Sequence, residues 1–266
     1  MSASASYRKD PPVAIGLCHA PPTLSKEAFE NGITAMVDTM LATPAMQKNC
    51  LKLDMLFQTE LAGEQLKAHG VTKGPHGVWL IAECATVDNF LEMWQDPMFV
   101  SGFREEMNKI YGHGNDRSIN TFLADVQTRI DLPRNRTSTA KDNQDQTRLV
   151  AAIRRPENIP TADEFREKVR SFADKFVEYP ICQRLCVKHE MWTSNSVIDP
   201  HLRALGLSAP DPDVAILMVE TEHQDGMIQI LNDSDFNQFM EDARRELDIH
   251  VESSFFVANV VTKLDK

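Results

Sequence analysis

The chain has 266 residues, of which 42% are hydrophobic, so it is long enough to bury a substantial core. Asp and Glu outnumber Lys and Arg by 39 to 28, giving a formal net charge of −11 that argues against a nucleic-acid partner. The sequence contains no run of about 18 apolar residues, and residues 1–12 lack the apolar core of a signal peptide. We therefore expect a cytoplasmic protein with no membrane partner.

The first half of the chain shows alternating strand and helix periodicities. Residues 12–19 form an apolar run typical of a buried strand, and apolar residues then recur at spacings of three and four from Ser25 to Leu41, which predicts a helix. Strict alternation over 51–57 predicts the next strand. The remaining elements predicted for this half are a short helix near 66–70, a strand at 78–84, a helix from 88 that Pro97 divides, and a strand at 119–126.

The second half repeats the first at a nearly constant spacing. Phe29, Pro44, Cys50, Lys52 and Met55 recur as Phe165, Pro180, Cys186, Lys188 and Met191. Further along, Glu83, Asp88 and Phe99 recur as Glu220, Asp225 and Phe236. Such self-similarity predicts two copies of one folding unit. Each copy reads strand, helix, strand, strand, helix, strand, which is the ferredoxin-like arrangement.

The start of the second unit carries a family resemblance. Pro-x-x-Ile-Pro-Thr-x-x-Glu-Phe-Arg at 156–166 leads into a helix, and Tyr179-Pro180 precedes a strand around 185–189. This pattern resembles the EthD-like branch of the dimeric α+β barrel superfamily, in which two ferredoxin-like units pack sheet to sheet. One feature departs from that branch: the first helix carries no His-Ala-Pro around 36–38 or 172–174.

The repeat and the resemblance together predict an α+β fold of two tandem ferredoxin-like (βαββαβ) repeats that form an intrachain dimeric α+β barrel. The predicted boundaries are 12–131 for the first repeat, 132–146 for a polar linker and 147–266 for the second repeat. Fusion of the two units removes the need for a second chain to close the barrel, so both a monomer and a homodimer remain open.

Strand alternation assigns candidate site residues to the barrel interior. The more apolar face should meet the helices, which directs Cys50, Lys52, Asp54 and Leu56 inward, together with Cys186, Lys188, Glu190 and Trp192 in the second repeat. A lysine two residues from a carboxylate can form an acid-base pair, so Lys52, Asp54, Lys188 and Glu190 are predicted catalytic residues. The alternative is that they are solvated or paired edge charges. Leu56, Trp192, Cys50 and Cys186 are predicted to contact a ligand.

Three histidines complete the candidate site. His189 replaces Leu53 at the equivalent position of the repeat and is a candidate proton carrier or a hydrogen-bonded core residue. His113 lies between two glycines, and His250 occupies the matching place, so both are candidate ligand contacts. The three tryptophans, Trp79, Trp94 and Trp192, and 12 methionines favour adaptable apolar walls.

Familiar cofactor and metal motifs are absent from the sequence. It contains no G-x-G-x-x-G, H-E-x-x-H or G-x-S-x-G string, and its five cysteines include no C-x-x-C pair. We expect reduced cysteines and no cofactor. The resemblance implies a small-molecule enzyme acting on an apolar, aromatic or polyketide-like metabolite in a barrel pocket, as a cofactor-independent oxygenase, dehydratase, cyclase or isomerase. The alternatives are a ligand-binding or stress-associated barrel without catalysis, and a haem enzyme with His250 as axial ligand.

Overall fold

The structure is a computed structural model that describes residues 8–70, 76–112, 119–132, 147–204, 207, 214–247 and 254–266. The strands are β1 (Arg8–His19), β2 (Cys50–Gln58), β3 (Gly77–Cys84), β4 (Ile119–Asp131), β5 (Thr147–Arg154), β6 (Cys186–Asn195), β7 (Val214–Thr221) and β8 (Ser254–Asp265). The helices are α1 (Lys26–Leu41), α2 (Pro44–Asn49), α3 (Gly63–Ala68), α4 (Val87–Gln95), α5 (Pro97–Tyr111), α6 (Ala162–Glu178), α7 (Pro180–Leu185), α8 (Asp199–Ala204), α9 (Gln224–Asn232) and α10 (Ser234–Leu247).

Local sequence signals set the helix ends. The hydroxyl groups of Ser25 and Thr161 accept hydrogen bonds from backbone amides in the first turns of α1 and α6, which satisfies donors that a helix leaves free. Asp96 caps α5 in the same way, and Pro97 occupies the first position of that helix. The predicted break at Pro97 is therefore confirmed as the boundary between α4 and α5.

The strands form a closed antiparallel barrel in the order β1-β3-β2-β8-β5-β7-β6-β4. The first half contributes β4-β1-β3-β2, and the second contributes β8-β5-β7-β6, so the two halves have the same internal strand order. Pairs β2–β8 and β4–β6 join the halves. Because one chain supplies all of these strands, no second chain is needed to complete the barrel.

Strands β4 and β8 are longer than predicted. The sequence pattern predicts a strand at 119–126 and, at the matching place of the second half, one at 254–260, whereas the strands continue to Asp131 and Asp265. The additional residues pair with β6 and β2 of the opposite half. Pairing across the seams therefore supplies the backbone hydrogen bonds that extend these strands. The predicted linker, 132–146, lies outside the described residues except for Leu132.

The buried side chains form three cores. One core lies between the first-half sheet and its helices and includes Phe29, Ile33 and Phe99. A second lies between the second-half sheet and its helices and includes Phe165 and Phe172. The third fills the barrel interior with side chains from all eight strands: Val13, Ile15, Leu17, Leu56, Trp79, Ile81, Phe122, Ala124, Val126, Val150, Ala152, Trp192, Val214, Ile216, Met218, Phe256, Ala258 and Val260.

Candidate functional site

A buried arginine, Arg148, donates hydrogen bonds to two of the interior carboxylates. Its Nε atom donates to Glu220 Oε2 at 2.9 Å, and its Nη1 atom donates to Asp54 Oδ2 at 3.0 Å. Thr262 Oγ1 donates to the other oxygen of Asp54 at 2.7 Å, and Lys52 Nζ lies 3.4 Å from Asp54 Oδ2. Asp54 lies on β2 in the first half and Arg148 lies on β5 in the second, so this Arg148 cluster links the two halves.

The second half carries a counterpart around Glu190. Lys188 Nζ lies 2.6 Å from Glu190 Oε1, and Thr128 Oγ1 donates to the same oxygen at 3.3 Å. Trp192 Nε1 donates to Glu190 Oε2 at 3.0 Å. The lysine-carboxylate pairs predicted from alternation are therefore present in both halves. In each half the carboxylate also accepts a hydrogen bond from a threonine of the opposite half.

The electrostatics of the Arg148 cluster are those of mutually neutralised buried charges. Burial would raise the pKa of the Asp54 carboxyl, but Arg148 and Lys52 outweigh it and hold that pKa below its ordinary value. Burial would lower the pKa of the Arg148 guanidinium, but Glu220 and Asp54 raise it above its ordinary value. Asp54 is therefore an ionised, fully paired group rather than a base poised to titrate near neutral pH.

Arg148 is a site residue that the sequence reasoning missed. It stands opposite Glu220 on β7, whereas the matching glutamate of the first half, Glu83, stands opposite Val13 on β1. Arg148 is 2% exposed. The available signal was a charged residue on the inward face of an otherwise apolar strand, with a glutamate in the neighbouring strand of the same half. Such a residue needs a buried partner.

Two predicted ligand contacts, Cys50 and Cys186, were placed on the wrong face. Cys50 belongs to the helix-side core of the first half and Cys186 to that of the second. A β-bulge lies between Cys50 and Lys52, and another lies between Cys186 and Lys188. Because a bulge sets two residues against one on the partner strand, it interrupts the alternation from which the inward direction was predicted. Leu56 and Trp192, beyond the bulges, do lie in the barrel interior.

His189 lies outside the barrel interior, on the helix side of the second half. It is 1% exposed, and its ring stacks on Phe176 of α6 at a centroid distance of 5.1 Å. No described residue bonds its Nδ1 atom. Burial, and then the nearby Arg129, lower the pKa of His189 to about 3, so the ring is neutral at physiological pH. Arg129 itself pairs with Asp174 of α6 at 2.6 Å.

A cavity of about 60 Å³ lies in the first half, between the sheet and helices α1, α2, α4 and α5. Its lining is almost entirely apolar: Ala14, Ile15, Gly16, Cys18, Met36, Val37, Met40, Met46, Leu53, Leu80, Ala82, Phe90, Met93, Trp94, Phe99, Phe103 and Thr121. In the barrel interior, where the sequence analysis expected a pocket, the described apolar side chains form the interior core. The cavity lies on the helix side of the first-half sheet, whereas Asp54 of the Arg148 cluster lies on the inward face of that sheet.

Trp94, a lining residue of the cavity, has a buried hydrogen-bond donor that no described residue accepts. It is 8% exposed, and its Nε1 atom is buried. Its ring packs edge-on against Phe99 and Phe103 at centroid distances of 5.1 Å. Burying an N–H without an acceptor costs free energy, so an unpaired donor at a cavity wall is suited to a ligand oxygen. The Cys18 thiol, also in the lining, remains protonated because burial raises its pKa to about 12.

Two further candidate residues and two kinds of site remain to be placed. His113 and His250 lie outside the described residues. Among the residues that the structure describes, no group of three or more His, Cys, Asp or Glu side chains is arranged to hold a metal ion. None of the described helices has the length and apolar character needed to cross a membrane.

The fold, an α+β arrangement around a closed eight-stranded barrel, is similar to that of solved structures at low sequence identity. An anthrone oxidase-like protein matches with a TM-score of 0.58 at 9% identity, covering 98% of this chain and 95% of that protein. A candidate monooxygenase from Fusobacterium nucleatum subsp. nucleatum matches with a TM-score of 0.54 at 10% identity, covering 96% of each chain. No family model matches the sequence, and no curated protein matches it.

Proposed function

We propose that this chain is a small-molecule enzyme that binds a flat, apolar molecule in the first-half cavity and oxidises it with dioxygen and no nucleotide cofactor. The unpaired Trp94 Nε1 atom carries the proposal, because it is a buried donor on a residue that lines a largely apolar cavity. This combination favours a ligand with an aromatic body and one acceptor oxygen. The two structural neighbours, an anthrone oxidase-like protein and a candidate monooxygenase, support oxidation as the reaction class.

The cavity must enlarge to admit such a ligand, and its lining supports that change. Four methionines, Met36, Met40, Met46 and Met93, contribute to the walls. Methionine side chains are unbranched and adopt alternative rotamers at low cost, so they accommodate ligands of different shape. The ligand oxygen would then accept from Trp94 while the aromatic rings of Phe90, Phe99 and Phe103 pack against its body.

Anthrone is a suitable probe because it has an aromatic body and one acceptor oxygen. Its oxidation consumes one dioxygen, replaces the two C–H bonds of the methylene group by a carbonyl and releases one water. Loss of the first proton moves negative charge onto the existing carbonyl oxygen. A donor aimed at that oxygen stabilises the charge as it develops, which is the role we assign to Trp94.

Binding without catalysis is the second candidate function. It is favoured by the cavity lining, because none of the described lining side chains is a base at neutral pH. Haem fits this cavity poorly, since the haem alternative required a histidine ligand and no described lining residue is a histidine. The two remaining candidates differ in one measurable quantity, which is oxygen uptake in the presence of a bound ligand.

The finer features of the fold belong to the same proposal. The shared strand order of the halves supports tandem ferredoxin-like repeats with boundaries near 12–131 and 147–266. The EthD-like branch, a cytoplasmic location and a monomeric or homodimeric state remain predictions. The catalytic roles of Lys52, Asp54, Lys188, Glu190 and His189 also remain predictions, and the interior clusters fit the paired-charge alternative.

Replacing Trp94 by Phe tests the proposed site. Trp94→Phe keeps an aromatic ring and removes the N–H, so we expect about a tenfold loss of anthrone affinity and a similar or larger loss of turnover. Binding of anthracene, which has no acceptor oxygen, should change little. The measurements are ligand titration by calorimetry and oxygen uptake with an electrode.

Trp79→Phe is the matched control because Trp79 lies in the barrel interior and does not line the cavity. It should leave both ligands unaffected. Anthrone binding without oxygen uptake would select the binding function over the enzyme. Equal losses for anthrone and anthracene in Trp94→Phe would show that the N–H group does not recognise the ligand.

A further inference from the structure

Two free cysteines of the first half, Cys50 and Cys84, stand directly opposite each other on adjacent strands. Residues directly opposite in an antiparallel pair have Cα atoms about 4.5–5.5 Å apart, which lies within the range of about 4.4–6.8 Å found in disulfides. Both side chains belong to the same helix-side core. The Cys50 thiol also donates to the backbone carbonyl oxygen of Lys52 at 3.2 Å.

The surroundings of this pair favour a nucleophilic sulfur on Cys50. The neighbouring Cys84 thiol lowers the pKa of the Cys50 thiol, and the ammonium group of Lys266 lowers it further, against the opposing effect of burial. The neighbouring Cys50 thiol and burial raise the pKa of Cys84. Lys266 is held beside β2 because its backbone N–H donates to the carbonyl oxygen of Leu51 at 3.1 Å.

The second half offers an internal comparison. Cys186 repeats Cys50, but the residue opposite Cys186 is Thr221 rather than a cysteine. Burial raises the pKa of the Cys186 thiol to about 12, so this thiol is protonated at neutral pH. The repeat therefore places the same bulged strand start in both halves, and a second sulfur stands opposite in the first half alone.

We propose that Cys50 and Cys84 form a reversible oxidation site for small hydroperoxides, in which the two thiols are converted to an intrachain disulfide. Cys50 is 0% exposed and Cys84 is 4% exposed, which favours an oxidant as small as hydrogen peroxide over a protein partner. Disulfides in reducing compartments are typically transient and redox-sensing. This proposal does not depend on the proposed enzyme activity.

Oxidation of the two thiols by hydrogen peroxide proceeds in two steps. The Cys50 thiolate attacks one peroxide oxygen, the O–O bond breaks, and Cys50 sulfenic acid and water form after proton uptake. The Cys84 sulfur then attacks the sulfenic sulfur, an S–S bond forms, the S–O bond breaks, and a second water leaves with the Cys84 proton. Two thiols lose two electrons, and one hydrogen peroxide gains two.

The site adjoins the cavity. Cys50 follows α2, which supplies the lining residue Met46, and Cys84 precedes α4, which supplies Phe90, Met93 and Trp94. A disulfide would link the start of β2, which follows α2, to the end of β3, which precedes α4. Oxidation of the pair is therefore placed to restrict movement of the cavity wall.

The test is oxidation of the full-length protein by hydrogen peroxide, followed by alkylation of the remaining thiols and mass spectrometry. We expect a species about 2 Da lighter than the reduced protein, a fall in alkylated thiols from the five cysteines present to three, and a Cys50–Cys84 cross-linked peptide. Dithiothreitol should restore all five. Cys186→Ser should give the same cross-link, with alkylated thiols falling from four to two.

Cys84→Thr is the decisive variant because it reproduces the pairing found in the second half. It should abolish the intrachain cross-link, and its circular dichroism and thermal midpoint establish whether it folds. The wild-type result decides the proposal even if this variant does not fold. Failure of wild-type protein to form the Cys50–Cys84 link, a preferred link through Cys182 or Cys186, or oxidation only to sulfinic acid would overturn it.

Discussion

Replacing Arg148 by Met is expected to lower the free energy of unfolding by about 3–5 kcal/mol, because it leaves Asp54 and Glu220 as buried charges without their main partner. Asp54 and Glu220 are 2% and 1% exposed. Urea unfolding at pH 7 measures the loss. Since Arg148 also connects β5 to β2 of the other half, its removal weakens the contact between halves as well as the local packing.

Two controls separate this effect from a general effect of removing an arginine. Arg166 pairs with Asp163 on the surface of α6, so Arg166→Met should cost less than about 1 kcal/mol. Combining Arg148→Met with Asp54→Asn and Glu220→Gln should recover much of the lost stability, because no buried charge is then unpaired. A loss below 1 kcal/mol in Arg148→Met would contradict the assignment of Arg148 as the neutralising group.

The pH dependence of the same variant has a definite sign. The folded-state pKa of Asp54 is lowered from its ordinary value of 3.8, so its pairing stabilises the wild-type protein above that pH and is lost as the pH falls through the lowered value. In Arg148→Met, the Asp54 carboxylate is a buried charge without its main partner, and protonation of that carboxylate removes the charge. The difference in free energy of unfolding between wild type and variant should therefore be largest at pH 7 and should decrease below about pH 4.

The fold was predictable because its determinants are local and repeated. Alternation over 51–57 and the helical spacing from Ser25 to Leu41 each report the environment of one element. The same strand and helix patterns recur in the second half, and this repeat limits the possible strand topologies. The same alternation correctly placed Asp54, Glu190, Leu56 and Trp192 on the inward face, because each lies beyond the bulge that resets its strand.

The composition of the site was less predictable because it depends on register and packing between distant segments. Arg148 meets Asp54 only when β8 separates β5 from β2 at the observed stagger, which no periodic pattern specifies. Cys50 and Cys186 were misplaced by bulges that leave no mark in the hydrophobic pattern. The cavity near Trp94 arises from imperfect packing of four helices on a sheet, which follows from three-dimensional shape rather than spacing.

Replacing His189 by Leu is expected to stabilise the protein, and increasingly so as the pH falls. Leu53 is the equivalent residue in the first half, so leucine suits this position, and the change removes a buried ring nitrogen that no described residue bonds. We expect a gain of about 1 kcal/mol at pH 7.5, measured by urea unfolding. The reverse substitution, Leu53→His, should be destabilising because it buries an imidazole in an apolar wall.

Linkage fixes the direction of the pH effect. His189 has its pKa lowered to about 3 in the folded protein, against an ordinary value of 6.5 in the unfolded chain, so between these values the unfolded state binds the extra proton. Wild-type stability should therefore fall by up to about 1.4 kcal/mol per pH unit below about pH 6, and His189→Leu should lack this loss. The Arg148 cluster contributes only below about pH 4, so between about pH 4 and 6 the difference between wild type and His189→Leu reports His189 and not that cluster.

Activity measured on the same variant decides which half holds the working site. His189 packs in the second-half core, whereas Trp94 and the cavity belong to the first. Unchanged anthrone turnover in His189→Leu, together with the predicted rise in stability, would mean that His189 has no role in the reaction and reflects only divergence between the halves. Lost turnover in a protein that has become more stable would instead mean that the imidazole is retained for catalysis at a cost in stability, and would move the active site to the second half. A stability difference that does not vary between pH 7.5 and 4.5 would contradict the neutral, buried state assigned to this ring.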